Sequence, residues 1–300
     1  MIKDLARLTL WQRKRGRLRA TADWHAQGVQ TVVQLGDLID GKNAASKDKK
    51  AAFQRVLEEF EGFPDVHHII GNHDLYNLTK AELAAVFATT KRDPYYSFEP
   101  CSGWRGIILD SYELTVIGPD ATKEAEAMLS ASNPNDWRKP GVDFQTGLEG
   151  AMKRFVPYNG AVGDAQLKWL RAQLAEAHDA GQRVLVFVHI PLHPLAQQAA
   201  YRYTCLPWNY HAILSVLEST DAEVAAVFSG HDHSGGTTDH HFVWRGQERH
   251  IPHYSLRAAV EAEEPTCHAT LVLSDAGLCI ENAHACVRLL DAHKPSSHHS

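Results

Sequence analysis

Several features that identify common classes of protein are missing from this 300-residue sequence. No apolar run approaches the roughly 18 residues that a membrane span requires, and the N-terminus lacks the apolar segment of a secretory signal. The five cysteines are odd in number, scattered and without a C-x-x-C pair, which argues against a disulfide framework. These absences predict a cytoplasmic protein with reduced thiols.

An excess of positive charge is also missing, because the formal net charge is −6. This balance argues against a general nucleic-acid binder. The exception is the segment 1–19, which holds seven Lys or Arg residues against a single Asp. We interpret this segment as a solvated basic helix face, with a transit peptide or a phosphate-binding arm as alternatives. We therefore expect neither nucleic-acid nor membrane partners, and we expect a monomer.

Short apolar runs alternate with helical patterns along most of the chain. TVVQL (31–35) and RVLVFV (183–188) are typical of buried strands, and residues 164–180 have the periodicity of an amphipathic helix. This alternation and the strand-rich end predict a mixed α/β fold, a two-sheet sandwich flanked by helices. We expect one domain over 1–290, with an irregular insertion or cap at about 119–162 and a flexible tail at 291–300.

Four of the strand patterns are followed by turns that carry possible metal ligands. The turns are Gly36-Asp37, GNHD (71–74), His189 and GHDH (230–233). Ligands at the carboxyl ends of neighbouring parallel strands converge on one crevice, and a preceding Gly lets the backbone turn sharply. Histidine is abundant, with 19 residues, so position must select the functional ones. Carboxylate, amide and imidazole donors without thiolate suit Mn²⁺, Fe or Zn²⁺.

The order GD…GNHD…H…GHDH resembles the calcineurin-like metallophosphoesterase superfamily. Longer segments are similar to one branch, the manganese-dependent ADP-ribose/CDP-alcohol diphosphatases. The segments that carry the closer resemblance include VVQLGDLIDGKNA (32–44), HHIIGNHDLYNLT (67–79), FVPYNGAVGDAQLKWL (155–170) and LPWNY (206–210). The resemblance extends from about residue 20 to about residue 285.

The resemblance implies a site for two divalent metal ions, with Mn²⁺ favoured and Fe, Zn²⁺ or Mg²⁺ as alternatives. It implies that the substrate is a nucleoside diphosphate derivative such as ADP-ribose or a CDP-alcohol, cleaved at its pyrophosphate bond. The implied metal ligands are Asp37 as the bridge, Asn72, His189 and His231 at one ion, and His233 at the other. His73 would stabilise or protonate the phosphoryl group, and we hypothesise that Asp74 orients His73.

Four aromatic residues are candidates to stack a nucleobase or to line the substrate pocket. For each of them a core position is favoured over a substrate contact, except that the WNY segment follows a loop (197–207) that we expect near the site. The candidates are Tyr95, Tyr96, Trp208 and Tyr210.

One metal motif that the resemblance requires is missing. Members of the family carry Asp-x-His or Asp-x-Gln at the end of a first strand, whereas residues 1–19 are basic and helix-like, so we expect that strand to be absent. Asp23 and His25 cannot replace the motif. Only residues 25–30 separate Asp23 from the strand that begins at Thr31, and a parallel crossover needs about a dozen residues.

Two explanations are compatible with the missing motif. The chain has lost its first strand by truncation, or it is a divergent member with one intact and one defective metal site. In both cases we expect activity to be strongly impaired relative to a complete relative. Two alternative functions stay open: a metallophosphoesterase for another substrate class, such as a phosphodiesterase or phosphomonoesterase, and a non-catalytic scaffold with this fold.

Overall fold

A computed structural model describes residues 6–11, 19–87, 93–200, 202–258 and 268–281. The tail 291–300, for which flexibility is predicted, lies outside these ranges. None of the helices in the described part of the chain combines the length and the apolar character that a bilayer crossing requires.

Two mixed sheets and their flanking helices make up the described residues. The strands are β1 (Ala6–Trp11), β2 (Thr31–Gln34), β3 (Asp65–His68), β4 (Tyr96–Cys101), β5 (Trp104–Leu109), β6 (Arg183–Val188), β7 (Glu223–Ser229), β8 (Gly236–Trp244), β9 (Gln247–Ser255), β10 (His268–Ser274) and β11 (Gly277–Glu281). The helices are α1 (Arg19–Ala26), α2 (Lys49–Leu57), α3 (Asn72–Asn77), α4 (Lys80–Val86), α5 (Lys123–Ser132), α6 (Asp164–Asp179) and α7 (Tyr210–Glu218).

The first sheet has the strand order β11-β10-β1-β2-β3, and the second has the order β4-β5-β6-β7-β9-β8. Strands β1, β2 and β3 run parallel to one another, as do β5, β6, β7 and β9. The outer hairpins β10-β11 and β8-β9 are antiparallel. The mixed α/β prediction is therefore confirmed.

Alternation along the buried strands fills two kinds of core. Leu185 and Phe187 of β6 join an apolar cluster that includes Val33 of the first sheet, so this cluster holds the sheets together. The neighbouring Val184 and Val186 pack instead with apolar residues of α6 and α7. A strand that is buried on both faces reads as a continuous apolar run, and burying each large aliphatic side chain stabilises the fold by roughly 1.5–3 kcal/mol.

The expectation that the first strand is absent is wrong. Strand β1 lies between β10 and β2 in the first sheet, and Leu8 is fully buried in the core between the sheets. The sequence did carry the strand signal, since Leu8 alternates with Arg7 and Thr9. The Arg7 side chain is only half-buried and forms an ion pair with Glu281 across the sheet, with 3.0 Å between Nη1 and Oε2. The run of basic residues after Trp11 obscured this short alternation.

Residues 19–26, ahead of β2, form α1. Asp23 and Trp24 lie in this helix, and Trp24 is fully buried under the first sheet. His25 is exposed and stacks on Phe63 with ring centroids 4.0 Å apart. The His25 ring therefore packs α1 against Phe63 and lies away from the ends of the strands.

The segment 119–162 is more ordered than its irregular pattern predicts. It contains α5, which begins after the N-cap residue Thr122, whose side chain accepts a hydrogen bond from the N–H of Ala125. Leu129 of this helix packs with Phe155 and Trp208 in a small separate core. These contacts give the segment 119–162 an apolar cluster that it shares with Trp208.

Candidate metal centre

Four side chains meet where parallel strands of both sheets end. Asp37 follows β2, Asn72 begins α3 after β3, His189 follows β6 and His231 follows β7. We call these four residues the ligand cluster. The structure brings these four side chains together, and they come from two facing sheets rather than from one.

Tight turns bring the ligand cluster together. Asp37 and His231 have φ angles of 58° and 62°, in the left-handed region that few residues other than glycine occupy. A Cβ atom on Gly36 would lie 2.2 Å from His189 Nδ1, and one on Gly71 would lie 2.2 Å from Asp37 Oδ1. The two glycines are therefore required for close approach, as the sequence predicts.

Ligand-type atoms of the cluster lie within hydrogen-bonding range of one another. Asn72 Oδ1 is 3.3 Å from His189 Nε2 and 3.1 Å from His231 Nδ1. The same two imidazole nitrogens are 3.2 Å apart. Asp37 Oδ2 lies 3.5 Å from His189 Nε2. Four potential donor atoms to a cation therefore face a common point.

Hydrogen bonds at the far side of each imidazole fix which nitrogen carries hydrogen. His189 Nδ1 lies 2.6 Å from the carbonyl oxygen of Leu35, which can only accept. His231 Nε2 lies 2.9 Å from Asn159 Oδ1, also an acceptor. Burial lowers the pKa of His189 and holds the pKa of His231 well below its ordinary value, so each ring is neutral and has one hydrogen.

The nitrogens that face one another across the cluster are therefore both lone-pair atoms. His189 Nε2 and His231 Nδ1, together with Asn72 Oδ1, form a group of acceptors whose lone pairs repel at these distances. A divalent cation between them removes the repulsion, and carboxylate, amide and imidazole donors suit Mn²⁺, Fe or Zn²⁺. The residues present thus fit a metal ion.

Asp37 is held by groups on either side of it. The N–H of His73 donates to its Oδ1 at 2.8 Å, which leaves Oδ2 directed towards the ligand cluster. The Asp37 backbone N–H donates in turn to the buried carboxylate of Asp74 at 2.9 Å. The loop is therefore fixed through both its main chain and its functional side chain.

The contacts of Asp74 correct our hypothesis that this residue orients His73. Its carboxylate accepts hydrogen bonds from the backbone N–H groups of Asp37, Leu38 and Gly71, at 2.9, 2.7 and 2.9 Å. Burial, followed by the neighbouring Asp37 carboxylate, raises the pKa of Asp74 to about 8, against the lowering effect of the three donors. Asp74 therefore positions the Asp37 loop.

His73 lies beside the ligand cluster at the wall of a cleft of 260 Å³. Its Nδ1 accepts a hydrogen bond from the N–H of Gly41 at 2.8 Å. A ring hydrogen therefore lies on Nε2. Asp37, Asn72 and His231 line the same cleft. His73 is therefore next to the candidate metal position, but its Nδ1 is already hydrogen-bonded to the main chain.

His233 lines this cleft and an adjoining one of 380 Å³. It is not part of the close group: among the described residues, the only group of three or more His, Cys, Asp or Glu side chains with ligand atoms within 4.8 Å of one another is Asp37, His189 and His231. No Asp, Glu or His occurs between residues 5 and 22 in the sequence, so no acidic or imidazole ligand follows β1. The half of the centre near His233 therefore has fewer candidate ligands.

The aromatic residues suggested as substrate contacts lie elsewhere. None of the four lines either cleft. Tyr95 packs against Trp169, and the Tyr96 hydroxyl lies 3.0 Å from His67 Nδ1. Trp208 is 1% exposed and donates its indole N–H to a backbone carbonyl, and Tyr210 is 4% exposed. Burial supports the core interpretation for Trp208 and Tyr210, whereas Tyr95 and Tyr96 are half-buried and pack against neighbouring side chains.

Other residues occupy the walls of the clefts. Gln145 and Tyr158, from the insertion, line the cleft of 380 Å³ together with Cys205. Gln145 Nε2 lies 3.2 Å from the Tyr158 hydroxyl. Burial raises the pKa of the Cys205 thiol to about 12, so a thiolate nucleophile is excluded at neutral pH. Tyr158 lies in the PYNG segment, but the sequence of that segment gave no reason to place Tyr158 at the site.

A second group of histidines packs together on the second sheet. The ring centroids of His193, His240 and His253 lie 4.7 to 5.7 Å apart. We call them the sheet-face histidines. His240 Nε2 lies 3.1 Å from Glu218 Oε1, and His193 Nδ1 accepts a hydrogen bond from the N–H of Leu195. Their nitrogens do not converge as those of the ligand cluster do.

Comparison with known proteins agrees with this geometry. Residues 11–235 match the model of the calcineurin-like phosphoesterase family, described as Metallophos. The chain belongs to the calcineurin-like phosphoesterase family. This membership, together with the ligand cluster, supports a metal-dependent hydrolase with the two-sheet fold, as the motifs predict.

Several relatives of this calcineurin-like phosphoesterase carry the same name. A manganese-dependent ADP-ribose/CDP-alcohol diphosphatase of Arabidopsis thaliana is 37% identical over 260 residues, covering 83% of this chain and 77% of the relative. A Danio rerio protein of that name is 37% identical over 238 residues, covering 72% and 71%. The solved structure of a dimetal phosphatase from Danio rerio superimposes with a TM-score of 0.77 at 30% identity, over 92% of this chain and 95% of the other.

Proposed function

We propose that this protein is a Mn²⁺-dependent hydrolase of the pyrophosphate bond in small nucleoside diphosphate derivatives such as ADP-ribose and CDP-alcohols. The observation that carries the proposal is the convergence of Asp37, Asn72, His189 and His231 beside an open cleft. The names of its relatives support the substrate class. We further propose that it is a monomer. We also propose that it is cytoplasmic, because its cysteines are scattered and odd in number.

In this proposal Asp37, Asn72, His189 and His231 hold one metal ion, and Asp37 and His233 contribute to a second. Bound metal ions neutralise the charge that develops on phosphoryl oxygens and lower the pKa of water. Asp37 suits the shared position because its two oxygens are oriented separately, Oδ1 by the N–H of His73 and Oδ2 towards His189.

We propose that His73 assists phosphoryl transfer as a hydrogen-bond donor. The Gly41 N–H occupies Nδ1, which keeps the hydrogen on Nε2. A neutral imidazole held in this form can donate to a phosphoryl oxygen or to the leaving group without being a metal ligand. His73→Gln should therefore lower kcat by roughly 100-fold or more while Mn²⁺ affinity changes little.

The insertion supplies the surface on which we expect discrimination between substrates. Gln145 and Tyr158 line the cleft next to His231 and His233. Their amide and hydroxyl groups can hydrogen-bond a ribose or a base edge, and such contacts contribute specificity because a mismatched substrate leaves buried polar groups unpaired. Gln145→Ala should raise KM more than it lowers kcat.

A substrate panel with Mn²⁺ tests the proposed reaction. We expect AMP to be released from ADP-ribose in preference to nitrophenol from a generic phosphoester, and Asp37→Ala to abolish the activity. Asp48→Ala is the matched control, since Asp48 is an exposed carboxylate in the following loop. Preferential cleavage of the generic ester would favour a phosphodiesterase or phosphomonoesterase instead.

A second candidate function is a scaffold or a weak enzyme with one complete metal site. The observation that favours it is the absence of Asp, Glu and His from residues 5 to 22, at the strand end where the family places further ligands. We expect one Mn²⁺ ion to bind tightly and turnover to be at least about 100-fold slower than in a relative with the motif. Two tightly bound ions, or a rate equal to that of the Danio rerio relative, would contradict this expectation.

A further inference from the structure

Asn159 is a fully buried residue in the PYNG segment of the insertion. Its side chain makes three hydrogen bonds to three separate parts of the chain. Nδ2 donates to the carbonyl oxygen of Arg154 at 2.9 Å and to that of Thr204 at 2.7 Å. Oδ1 faces His231 Nε2 at 2.9 Å.

These contacts determine the orientation of the amide. Two carbonyl oxygens surround one end of the side chain, and a carbonyl oxygen accepts but never donates. The NH₂ group must therefore occupy that end, since placing Oδ1 there would set it against two carbonyl acceptors in a buried space. Both amide hydrogens are consumed, so the atom presented to His231 is an acceptor.

We infer that Asn159 is a positioning residue that fixes the tautomer of His231 for metal binding. Because Oδ1 can only accept, hydrogen stays on Nε2 of His231 and the Nδ1 lone pair faces Asn72 and His189. Partners behind a metal-ligating histidine commonly orient the ring in this way. The inference rests on the proposed role of His231 as a metal ligand.

The two histidines of the ligand cluster differ in how they are held. His189 is oriented by the main-chain carbonyl of Leu35, which no side-chain substitution removes directly. His231 depends on a side chain that is in turn held by Arg154 in the insertion and by Thr204 in the loop 202–209. The conformation of the insertion is consequently linked to the metal centre through one amide.

Asn133 provides a matched control within the same insertion. It is also buried, and its Nδ2 donates to the carbonyl oxygens of Phe144 and Phe155 at 2.9 and 2.6 Å. Its Oδ1 accepts from the backbone N–H of Asn135. Asn133→Ala removes a comparable set of hydrogen bonds, none of which involves a residue of the ligand cluster.

The test measures Mn²⁺ affinity by calorimetry and the His231 tautomer by ¹⁵N NMR of the metal-free protein, with the His231 signals assigned by their loss in His231→Gln. We expect the wild-type ring to carry hydrogen on Nε2. Asn159→Ala should give a mixture of tautomers and weaken Mn²⁺ binding by roughly 10–100-fold. Asn133→Ala should change affinity by less than about twofold while lowering stability.

Asn159→Asp separates tautomer control from packing. Its carboxylate still accepts from His231 Nε2 but loses both donors, so we expect lower stability, an unchanged tautomer and tighter Mn²⁺ binding than in Asn159→Ala. If Asn159→Ala does not fold, this variant carries the test by itself. Wild-type Mn²⁺ affinity in Asn159→Ala, or an altered tautomer in folded Asn159→Asp, would overturn the inference. Neither readout involves substrate, so failure of the proposed reaction is scored separately by the substrate panel.

Discussion

The ligand cluster and the sheet-face histidines both contain buried and half-buried imidazoles, but their local chemistry differs. In the ligand cluster, each imidazole has an acceptor behind it and lone-pair atoms in front of it. Among the sheet-face residues, neither nitrogen of His253 has a hydrogen-bond partner within the described chain, and His240 directs Nε2 to Glu218. Burial of histidine alone therefore does not indicate a metal site, whereas oriented lone pairs that converge do.

The largest effect should follow from breaking the turn that supports the ligand cluster. In Gly36→Ala the added Cβ collides with His189 Nδ1 at 2.2 Å, and the residue keeps a φ of 97°. We expect a loss of about 3 kcal/mol in the free energy of unfolding, together with loss of Mn²⁺ binding.

Gly181→Ala is the control for this turn, because φ is 63° and the space around the Cβ is open. It should cost only about 1 kcal/mol. Urea unfolding and Mn²⁺ calorimetry measure both variants. Equal losses would show that backbone strain, rather than contact with His189, determines the effect.

The next largest effect should distinguish the two groups directly. His231→Gln should weaken Mn²⁺ binding on the order of 100-fold, because a ligand is removed from the close group. His253→Gln should leave Mn²⁺ affinity within about twofold. Calorimetry at neutral pH compares the two, and a comparable loss in both variants would refute the distinction between the groups.

A smaller effect is expected at the other half of the centre. His233→Gln should weaken the tight Mn²⁺ site by less than about tenfold, since His233 lies outside the group whose ligand atoms are within 4.8 Å of one another. Electron paramagnetic resonance of bound Mn²⁺ counts the ions in each variant. A loss as large as that in His231→Gln would assign His233 to the tight site.

The smallest effect concerns the pH dependence of stability. Burial, followed by the neighbouring His240, lowers the pKa of His193 from 6.5 to about 4. Between these values the unfolded chain binds a proton that the folded chain does not, so stability is complete above pH 6.5 and decreases as the pH falls towards 4.

His193→Gln should flatten this decrease in metal-free protein, whereas His241→Gln, an exposed position on β8 next to His240, should leave it unchanged. Unfolding midpoints in urea at pH 7 and pH 5 make the comparison. An equal slope in all three proteins would exclude His193 as its source.

The sequence was sufficient for the strands that are buried on both faces, because a continuous apolar run has few other interpretations. The same strands located Asp37, Asn72, His189 and His231, since turns after parallel strands share one edge. Strand β1 was not predicted because two apolar residues alternating with polar ones are a weak strand signal next to a strongly basic segment. Helix α5 was missed because its apolar positions are few.

Residues whose role depends on distant contacts could not be identified in this way. Asn159 meets His231 across 72 positions of sequence, and Asp74 acts on the loop of Asp37 rather than on its neighbour His73. The opposite error occurs for the aromatic candidates. Trp208 directly follows a loop expected near the site, but its side chain is buried in the core. Composition and proximity cannot determine where such a side chain points.

The division of the ligand cluster between two sheets has a consequence for cooperativity. Asp37 and Asn72 extend from one layer, and His189 and His231 extend from the other. An ion held by all four would cross-link the layers, so that neither could separate without releasing it. At a free metal concentration 100 times Kd, such binding would add about 2.7 kcal/mol to the free energy of unfolding, and the two layers would melt as one unit.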